Sequence, residues 1–154
     1  MRSWRIRSLP AVLFAALMAC GGAATSAATQ AAPPAAPAQA AGPAEVVERF
    51  LRLASSRSYL QMGQLFGTVE GPITSRDPQP QVERRMYAIA DILQNERFVI
   101  SGQQAIPGRG ADVAQLTVQV TRRGQRRDVP FVVVRARNGS WLVEQIELQV
   151  LTRQ

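Results

Sequence analysis

Apolar and polar residues recur with a helical period in several segments of the first half of the chain. Between Ala44 and Ser55, apolar side chains return every three or four residues and charged side chains occupy the intervening positions. This spacing predicts an amphipathic helix. A shorter apolar set between Tyr59 and Phe66 predicts a second helix, which follows a serine and ends near Gly67. A third set between Gln81 and Asn95 predicts another helix.

The second half of the chain has the period of two that is typical of strands. Apolar and polar side chains alternate from Ala114 to Thr121, which predicts a strand with one buried face. Two further strands are predicted at Arg97–Ile106 and Val129–Ala136, the latter apolar on both faces as in the centre of a sheet. The last strand is predicted at Trp141–Leu151. Its apolar residues shift parity midway, which predicts a β-bulge near Glu144-Gln145.

Turn-forming residues separate the predicted strands. Pro107–Gly110 and the segment around Gly124 predict two turns, and Asn138-Gly139 is typical of a two-residue hairpin. Between the second and third helices, prolines exclude a long regular element, so Pro72-Ile73-Thr74 is predicted to form at most a short edge strand. The predicted order is three N-terminal helices packed on a four-stranded antiparallel meander, an α+β fold.

The N-terminal residues have a different pattern. Arg2, Arg5 and Arg7 precede an apolar run from Leu9 to Ala19, the arrangement of a signal peptide. The run has 11 residues, whereas a transmembrane helix needs ~20. Residues 1–19 are therefore predicted to be an export signal.

An alanine- and proline-rich segment follows the predicted signal. Residues 21–43 contain no charged and no large apolar side chain, so burial cannot offset the entropy of ordering them. Their prolines also interrupt any helix that alanine would favour. The segment is predicted to be a disordered tether. Random-coil scaling gives it a reach of about 25–30 Å.

The junction between signal and tether contains the only cysteine of the chain. The sequence Leu17-Met18-Ala19-Cys20-Gly21 resembles the lipobox of bacterial lipoproteins, in which a signal peptidase cleaves before the cysteine and the cysteine receives acyl chains. The resemblance implies that Cys20 is the lipid attachment site and that residues 20–43 are the lipidated tether. It implies a membrane-anchored cell-envelope protein on the periplasmic or extracellular face. In a bacterium with two membranes, the anchor is expected in the outer membrane. Ordinary cleavage within Ala23–Ala27 is the alternative and would release the protein.

The element order of residues 44–154, and their ending NGSWLVEQI, resemble NTF2-like (cystatin-like) domains. In that family the sheet curves around the helices into a cone that can hold a ligand. Enzymes of that family commonly use an Asp–His or Asp–Tyr pair, and this chain has no His. We therefore expect a non-catalytic binding or interaction module for an unknown envelope protein. The alternative is a carrier of a small hydrophobic molecule or phospholipid. The candidate pocket lining is apolar and aromatic, although such residues also suit an ordinary core. It comprises Met62, Phe66, Met86, Tyr87, Phe131 and Trp141.

Composition narrows the chemistry further. The chain has one Cys and no His, which excludes an internal disulfide, a Cys/His zinc site and catalysis with an imidazole base. No metal site, cofactor or enzymatic activity is predicted. Tyr87 and Asp91, four residues apart on the third helix, are the one pair suited to proton transfer. Surface positions suit both residues equally well, and Glu144 is expected to pair with an arginine.

All 18 basic residues are arginines, and the formal net charge is +7. Removal of the signal leaves 15 arginines against 11 acidic residues, an excess too small to indicate nucleic-acid binding. In a meander, six arginines fall at one end of the sheet and predict a positive rim for lipid phosphates or an acidic partner. A solvated hairpin tip is the alternative. The rim comprises Arg122, Arg123, Arg126 and Arg127, with Arg97 and Arg153 nearby.

The predicted central strand also has an apolar outer face. Either Val132 and Val134, or Phe131 and Val133, must lie on the side of the sheet away from the helices. An apolar outer face allows a homodimer in which two sheets pack together.

Overall fold

The computed structural model describes residues 42–152. The predicted signal, Cys20, most of the tether and Arg153 lie outside this range. The helices are α1 (Pro43–Ser55), α2 (Tyr59–Gln64), α3 (Gln79–Ile92) and α4 (Gln149–Thr152), and the strands are β1 (Gly67–Thr68), β2 (Gly71–Pro72), β3 (Arg97–Ala105), β4 (Val113–Arg122), β5 (Gln125–Arg135) and β6 (Trp141–Ile146). The fold is α+β, as predicted, and its main sheet is antiparallel in the order β3-β4-β5-β6. None of the helices in residues 42–152 is both long and apolar enough to cross a bilayer.

Helix α1 lies across the main sheet and contacts all four of its strands. Pro43 lies in its first turn, where a missing N–H costs no hydrogen bond, and Glu45 complements the positive end of the helix dipole. One side of the helix is buried in the core, because its apolar residues follow the helical period. The buried residues are Val46, Val47, Phe50, Leu51 and Ala54.

Helices α2 and α3 pack against each other beside α1. Gly63 permits their close approach, because a Cβ atom at this position would lie 2.3 Å from Cγ1 of Val82. Helix α3 buries Val82, Met86 and Ala90, which are four residues apart and therefore share one face.

One face of the main sheet, here called the helix face, supplies the other half of the core. Strand β4 alternates as predicted, with its apolar side chains buried against the helices. Antiparallel pairing places Leu116 opposite Phe131 and Val118 opposite Val129, so the neighbouring strand buries the same face. The opposite side is called the outer face.

Strand β6 contains the predicted β-bulge. Gln145 pairs with Val132, and Val143 pairs with Val133, so Glu144 is the extra residue between them. The prediction is confirmed. The bulge explains how Val143 and Ile146 can both pack against the main core although their parity differs.

Strand β3 has a second bulge, which the sequence pattern did not predict. Ile100 pairs with Val118, but Gly102 pairs with Thr117, so Ser101 is the extra residue. The Ser101 hydroxyl donates a hydrogen bond to the Thr117 carbonyl at 3.1 Å. Strand β3 is the first strand of the sheet and is largely exposed.

The chain reverses at Asn138-Gly139, but not through the predicted two-residue hairpin. The Gly139 N–H donates to the Ala136 carbonyl, and the Ala136 N–H donates to the Ser140 carbonyl, both at 2.8 Å. In this turn only Gly139 has a positive φ, of 85°. A type I′ turn needs two positive φ values, so the loop is of the wider kind that ends in a left-handed glycine.

The predicted last strand is too long, since β6 ends at Ile146. The Leu148 N–H then donates to the Ile146 carbonyl at 3.0 Å, which turns the chain away from the sheet. Leu148 lies just before the short helix α4 and Leu151 lies within it; the two are three residues apart and both pack against the core. The alternating apolar residues of this segment predicted a strand, but the segment instead ends in a short helix.

The outer face carries its own small apolar cluster. Phe131 and Val133 belong to the main core on the helix face, so the outward residues of β5 are Val132 and Val134. Val134 is only 3% exposed. It is covered within a second cluster that includes Val113, Ala136 and Leu142, with Ile106 and Val132 packed at its edge.

Candidate functional site

Five of the six predicted pocket residues lie in the packed interior. Met62, Met86 and Phe131 have no exposed surface and belong to the main core. Phe66 and Trp141 are half-buried and pack against that core. These side chains therefore fill space between the helices and the sheet. The sixth residue, Tyr87, is 57% exposed on the outside of the helices.

Tyr87 instead lines a cavity of about 290 Å³, here called the helix-end cavity. It forms where the end of α1, the start of α2 and the last turns of α3 meet. Asp91, which the sequence paired with Tyr87, lines the same cavity. The complete lining is Ala54, Ser55, Arg57, Tyr59, Tyr87, Ala90, Asp91, Leu93, Gln94 and Asn95.

Two tyrosines form the aromatic part of the helix-end cavity. Tyr59 is the first residue of α2, and Tyr87 lies in the middle of α3. Their ring centroids are 5.7 Å apart and the rings are inclined at 80°. This is the edge-to-face geometry that aromatic pairs prefer. It leaves ring faces that the partner ring does not cover.

Three polar groups of the cavity, Asp91, Gln94 and Asn95, lie at or just after the end of α3. The Gln94 amide donates a hydrogen bond to Oδ1 of Asp91 at 3.0 Å, which orients the carboxylate. The Asn95 amide donates to the Leu93 carbonyl at 2.9 Å. Within residues 42–152, no cation lies close enough to Asp91 to form an ion pair.

Arg57 also lines the helix-end cavity and lies in the turn that follows α1. The Ser58 N–H donates to the Leu53 carbonyl at 3.0 Å and the Arg57 N–H donates to the Ala54 carbonyl at 3.2 Å. These two bonds form a Schellman motif, whose left-handed residue is usually glycine. Arg57 has a φ of 57°, and a residue with a Cβ atom adopts this conformation at a cost of about 1–2 kcal/mol. The backbone therefore favours glycine at a position where the chain has arginine.

The Arg57 side chain has no polar partner among residues 42–152. In the part of the chain that the structure describes, its guanidinium group forms no ion pair and donates no side-chain hydrogen bond. The sequence analysis did not single out Arg57 or Tyr59. The sequence did contain a signal, because the segment Ser56-Arg57-Ser58 that follows α1 lacks the glycine that such a helix end prefers.

Two arginines of the predicted rim line a second concavity. Strands β4 and β5 are joined by the two residues Arg123 and Gly124, with φ values of 50° and 73°, which is a type I′ turn. Oε1 of Glu96 accepts a hydrogen bond from the Arg123 N–H at 2.8 Å. Because the turn is tight, β5 begins at Gln125 and not at the predicted Val129.

The pleat of the sheet divides the arginines of this rim between two faces. Arg97 and Arg126 both pair with Thr121, so all three residues lie on the outer face. Arg127 pairs with Val120 and lies on the helix face.

Arg122 also points to the helix face and donates to the Ile92 carbonyl at 3.4 Å. Of the described residues of the predicted rim, only Arg97 and Arg126 line an open concavity of about 440 Å³. Glu96, Val99, Gln119, Thr121 and Gly124 complete its lining.

Glu144 pairs with an arginine, as predicted. The Arg109 guanidinium donates two hydrogen bonds to its carboxylate, at 2.7 and 3.2 Å. The hydrogen bonding and the negative charge of Glu144 raise the pKa of Arg109 above its ordinary value. The pair joins the loop between β3 and β4 to the bulge in β6, so both oxygens of Glu144 are engaged in a structural contact.

Among the described residues, no three His, Cys, Asp or Glu side chains come together in a group that could hold a metal ion. No family model matches the sequence, and no curated protein matches it with significant similarity.

Proposed function

We propose that the protein is a lipid-anchored protein of the bacterial cell envelope whose residues 44–154 form a non-catalytic, NTF2-like binding module. The lipobox resemblance at Cys20 and the tether composition support the anchor. The bulged antiparallel sheet, with helices on one face only, supports the NTF2-like assignment. In this proposal the sheet curves around α1 as the wall of a cone.

The observation that carries the binding-module proposal is the contrast between interior and surface. A carrier of hydrophobic molecules needs space between the helices and the sheet. Met62, Met86 and Phe131 are fully buried there by protein atoms, whereas the helix-end cavity opens to solvent. A surface binding site is therefore favoured over a carrier. Native mass spectrometry that found a lipid bound to the wild-type protein would favour the carrier instead.

The placement of the acid and base groups supports a non-catalytic role. Tyr87 is more than half exposed and Asp91 is also exposed. Acid–base catalysis generally uses groups that are shielded from water, where their electrostatic interactions are strong. Glu144 is held by Arg109. These three groups do not share one enclosed site.

The anchor is tested by the substitution Cys20→Ser. We expect the variant to lose lipid modification and to move from the membrane fraction to the soluble or secreted fraction. Acyl chains contribute ~0.8 kcal/mol for each buried methylene, so their loss removes the whole anchor. Fractionation and intact-mass measurement would detect both changes.

The matched control is Ser26→Ala, which alters the tether but not the lipobox and should leave fractionation unchanged. A Cys20→Ser protein with wild-type processing and full membrane retention would contradict the proposed anchor.

A further inference from the structure

We propose that the helix-end cavity binds a small zwitterion, a molecule that carries both an ammonium group and an oxyanion. The proposal deepens the binding-module function given above and does not depend on the lipid anchor. It rests on three features of the cavity: an aromatic pair and a carboxylate in its lining, an arginine that has no partner among the described residues, and the positive φ of this arginine.

The ammonium group would bind at the tyrosine side. Cations are attracted to the faces of aromatic rings within ~6 Å of the centroid. The edge-to-face arrangement of Tyr59 and Tyr87 leaves ring faces uncovered. Asp91 adds a negative charge in the same cavity, and its carboxylate is oriented by Gln94. Two aromatic rings and one carboxylate form a suitable environment for a primary or quaternary ammonium.

The oxyanion would bind at Arg57. A guanidinium group presents its N–H donors in a planar fork that matches a carboxylate or a phosphate. Among the described residues no acidic side chain forms an ion pair with Arg57. Its donors are therefore available to a ligand in the cavity that it lines.

The backbone conformation indicates that the Arg57 side chain has a role of its own. In the described part of the chain only two residues other than glycine have a positive φ, Arg57 and Arg123. Strained positions of this kind are concentrated at functional sites, where the rest of the structure offsets their cost in stability. Glycine would end α1 without strain, but it would remove the cation from the cavity.

Size and charge together select the ligand class. A volume of about 290 Å³ is at the lower end of the ~300–1,000 Å³ range of small-molecule sites, so the ligand is small. A neutral apolar ligand would desolvate Arg57 and Asp91 without giving either a partner. A simple anion or cation would satisfy only one of them. A zwitterion satisfies both and leaves its apolar part against the tyrosines.

The test is a titration of the purified full chain with four zwitterions, followed by NMR of the backbone amides. The probes are glycine and glycine betaine, which carry carboxylates, and phosphoethanolamine and phosphocholine, which carry the phosphates of lipid headgroups. We expect at least one to shift amides of residues 54–59 and 87–95 with a dissociation constant below ~10 mM. The preferred probe identifies the oxyanion source. Choline, acetate and inorganic phosphate should each bind at least ~10-fold more weakly.

The matched variants are Arg57→Gly and Arg123→Gly. Each variant removes one positive charge and replaces a strained residue of positive φ by glycine. Both should therefore raise the Tm. Only Arg57→Gly should weaken binding of the preferred probe, by ~10-fold or more. Asp91→Asn should also weaken it, and provides a second test at an exposed position that does not affect the backbone.

Two results would overturn the proposal. The first is that none of the four zwitterions shifts these amides. The second is that Arg57→Gly and Asp91→Asn bind the preferred probe as tightly as the wild type does. Neither result bears on the anchor, which is tested by fractionation of Cys20→Ser. A failure of the zwitterion site and a failure of the lipid anchor are therefore distinguishable.

Discussion

Replacement of Phe131 by alanine is expected to lower the free energy of unfolding by ~3–5 kcal/mol. Phe131 has no exposed surface and is one of the largest fully buried side chains of the described residues. It lies on β5 between Leu116 on one side and Ile146 on the other. Its removal eliminates apolar contacts on several sides and leaves a cavity that the surrounding strands cannot readily close. Urea denaturation of the full chain would measure the loss.

The control is Val99→Ala, on the outer face of β3. Val99 is 52% exposed, so its truncation should change stability by no more than ~0.5 kcal/mol. A loss for Phe131→Ala of less than ~1 kcal/mol would mean that the interior adapts to missing volume. Such an interior would contradict the tight packing described above and would restore the carrier hypothesis.

The substitution Gly67→Ala is expected to destabilise the protein by ~1–3 kcal/mol or more, through overpacking. A Cβ atom at Gly67 would lie 2.3 Å from the Gly71 carbonyl oxygen and 2.8 Å from Cα of Pro72. Both are backbone atoms, so no side-chain rotation can relieve the contact. Strands β1 and β2, which pair Gly67 with Pro72, would have to separate.

The effect of Gly67→Ala should extend to the main sheet. The chain just before β1 is bonded to β6, because the Val143 N–H donates to the Leu65 carbonyl at 2.8 Å. Arg137, in the turn before β6, also donates its N–H to the Val69 carbonyl at 3.0 Å. We expect the amides of Val143 and Arg137 to exchange hydrogen faster in the variant.

Gly102→Ala is the matched control for Gly67→Ala. No atom lies within 4 Å of a Cβ built at Gly102, and its φ is not positive. The same substitution should therefore be neutral or slightly stabilising, since glycine in a strand is unfavourable. Equal unfolding midpoints for the two variants in urea would show that the contact at Gly67 is relieved without cost.

Periodic patterns predicted the parts of the fold that bury one continuous face. Helix α1 and strand β4 were recognised because a single side of each is apolar over its whole length. The bulge at Glu144 was also predictable, since a change of parity in an otherwise apolar strand requires an extra residue.

Features that depend on register or on local hydrogen bonds were not predictable from these patterns. The arginines of the β4–β5 turn were expected to form one rim, but which face each residue occupies depends on the turn length. A two-residue turn pairs Arg126 with Thr121 and Arg127 with Val120, and so separates neighbours in sequence. Strand β6 ends where the chain turns after Ile146. No clear pattern in the sequence indicates this turn.

The candidate site was predicted only in part. The helical spacing of Tyr87 and Asp91 brought them together on α3, and the structure places both at the helix-end cavity. Arg57 and Tyr59 were missed because they reach the cavity through the packing of α1 and α2 against α3. That packing depends on Gly63, and no periodicity in the sequence indicates the distance between two helices.

The bulge at Ser101 has a consequence for self-association. Among the strands of residues 42–152, β3 has only β4 as a neighbour, so its other edge offers backbone donors and acceptors to a strand of another molecule. Ser101 interrupts this row and leaves only the short segments Arg97–Ile100 and Gly102–Ala105 on either side. In the proposed membrane-anchored state, copies of the protein would meet in two dimensions at high local density. The irregular strand would oppose edge-to-edge aggregation where such encounters are most frequent.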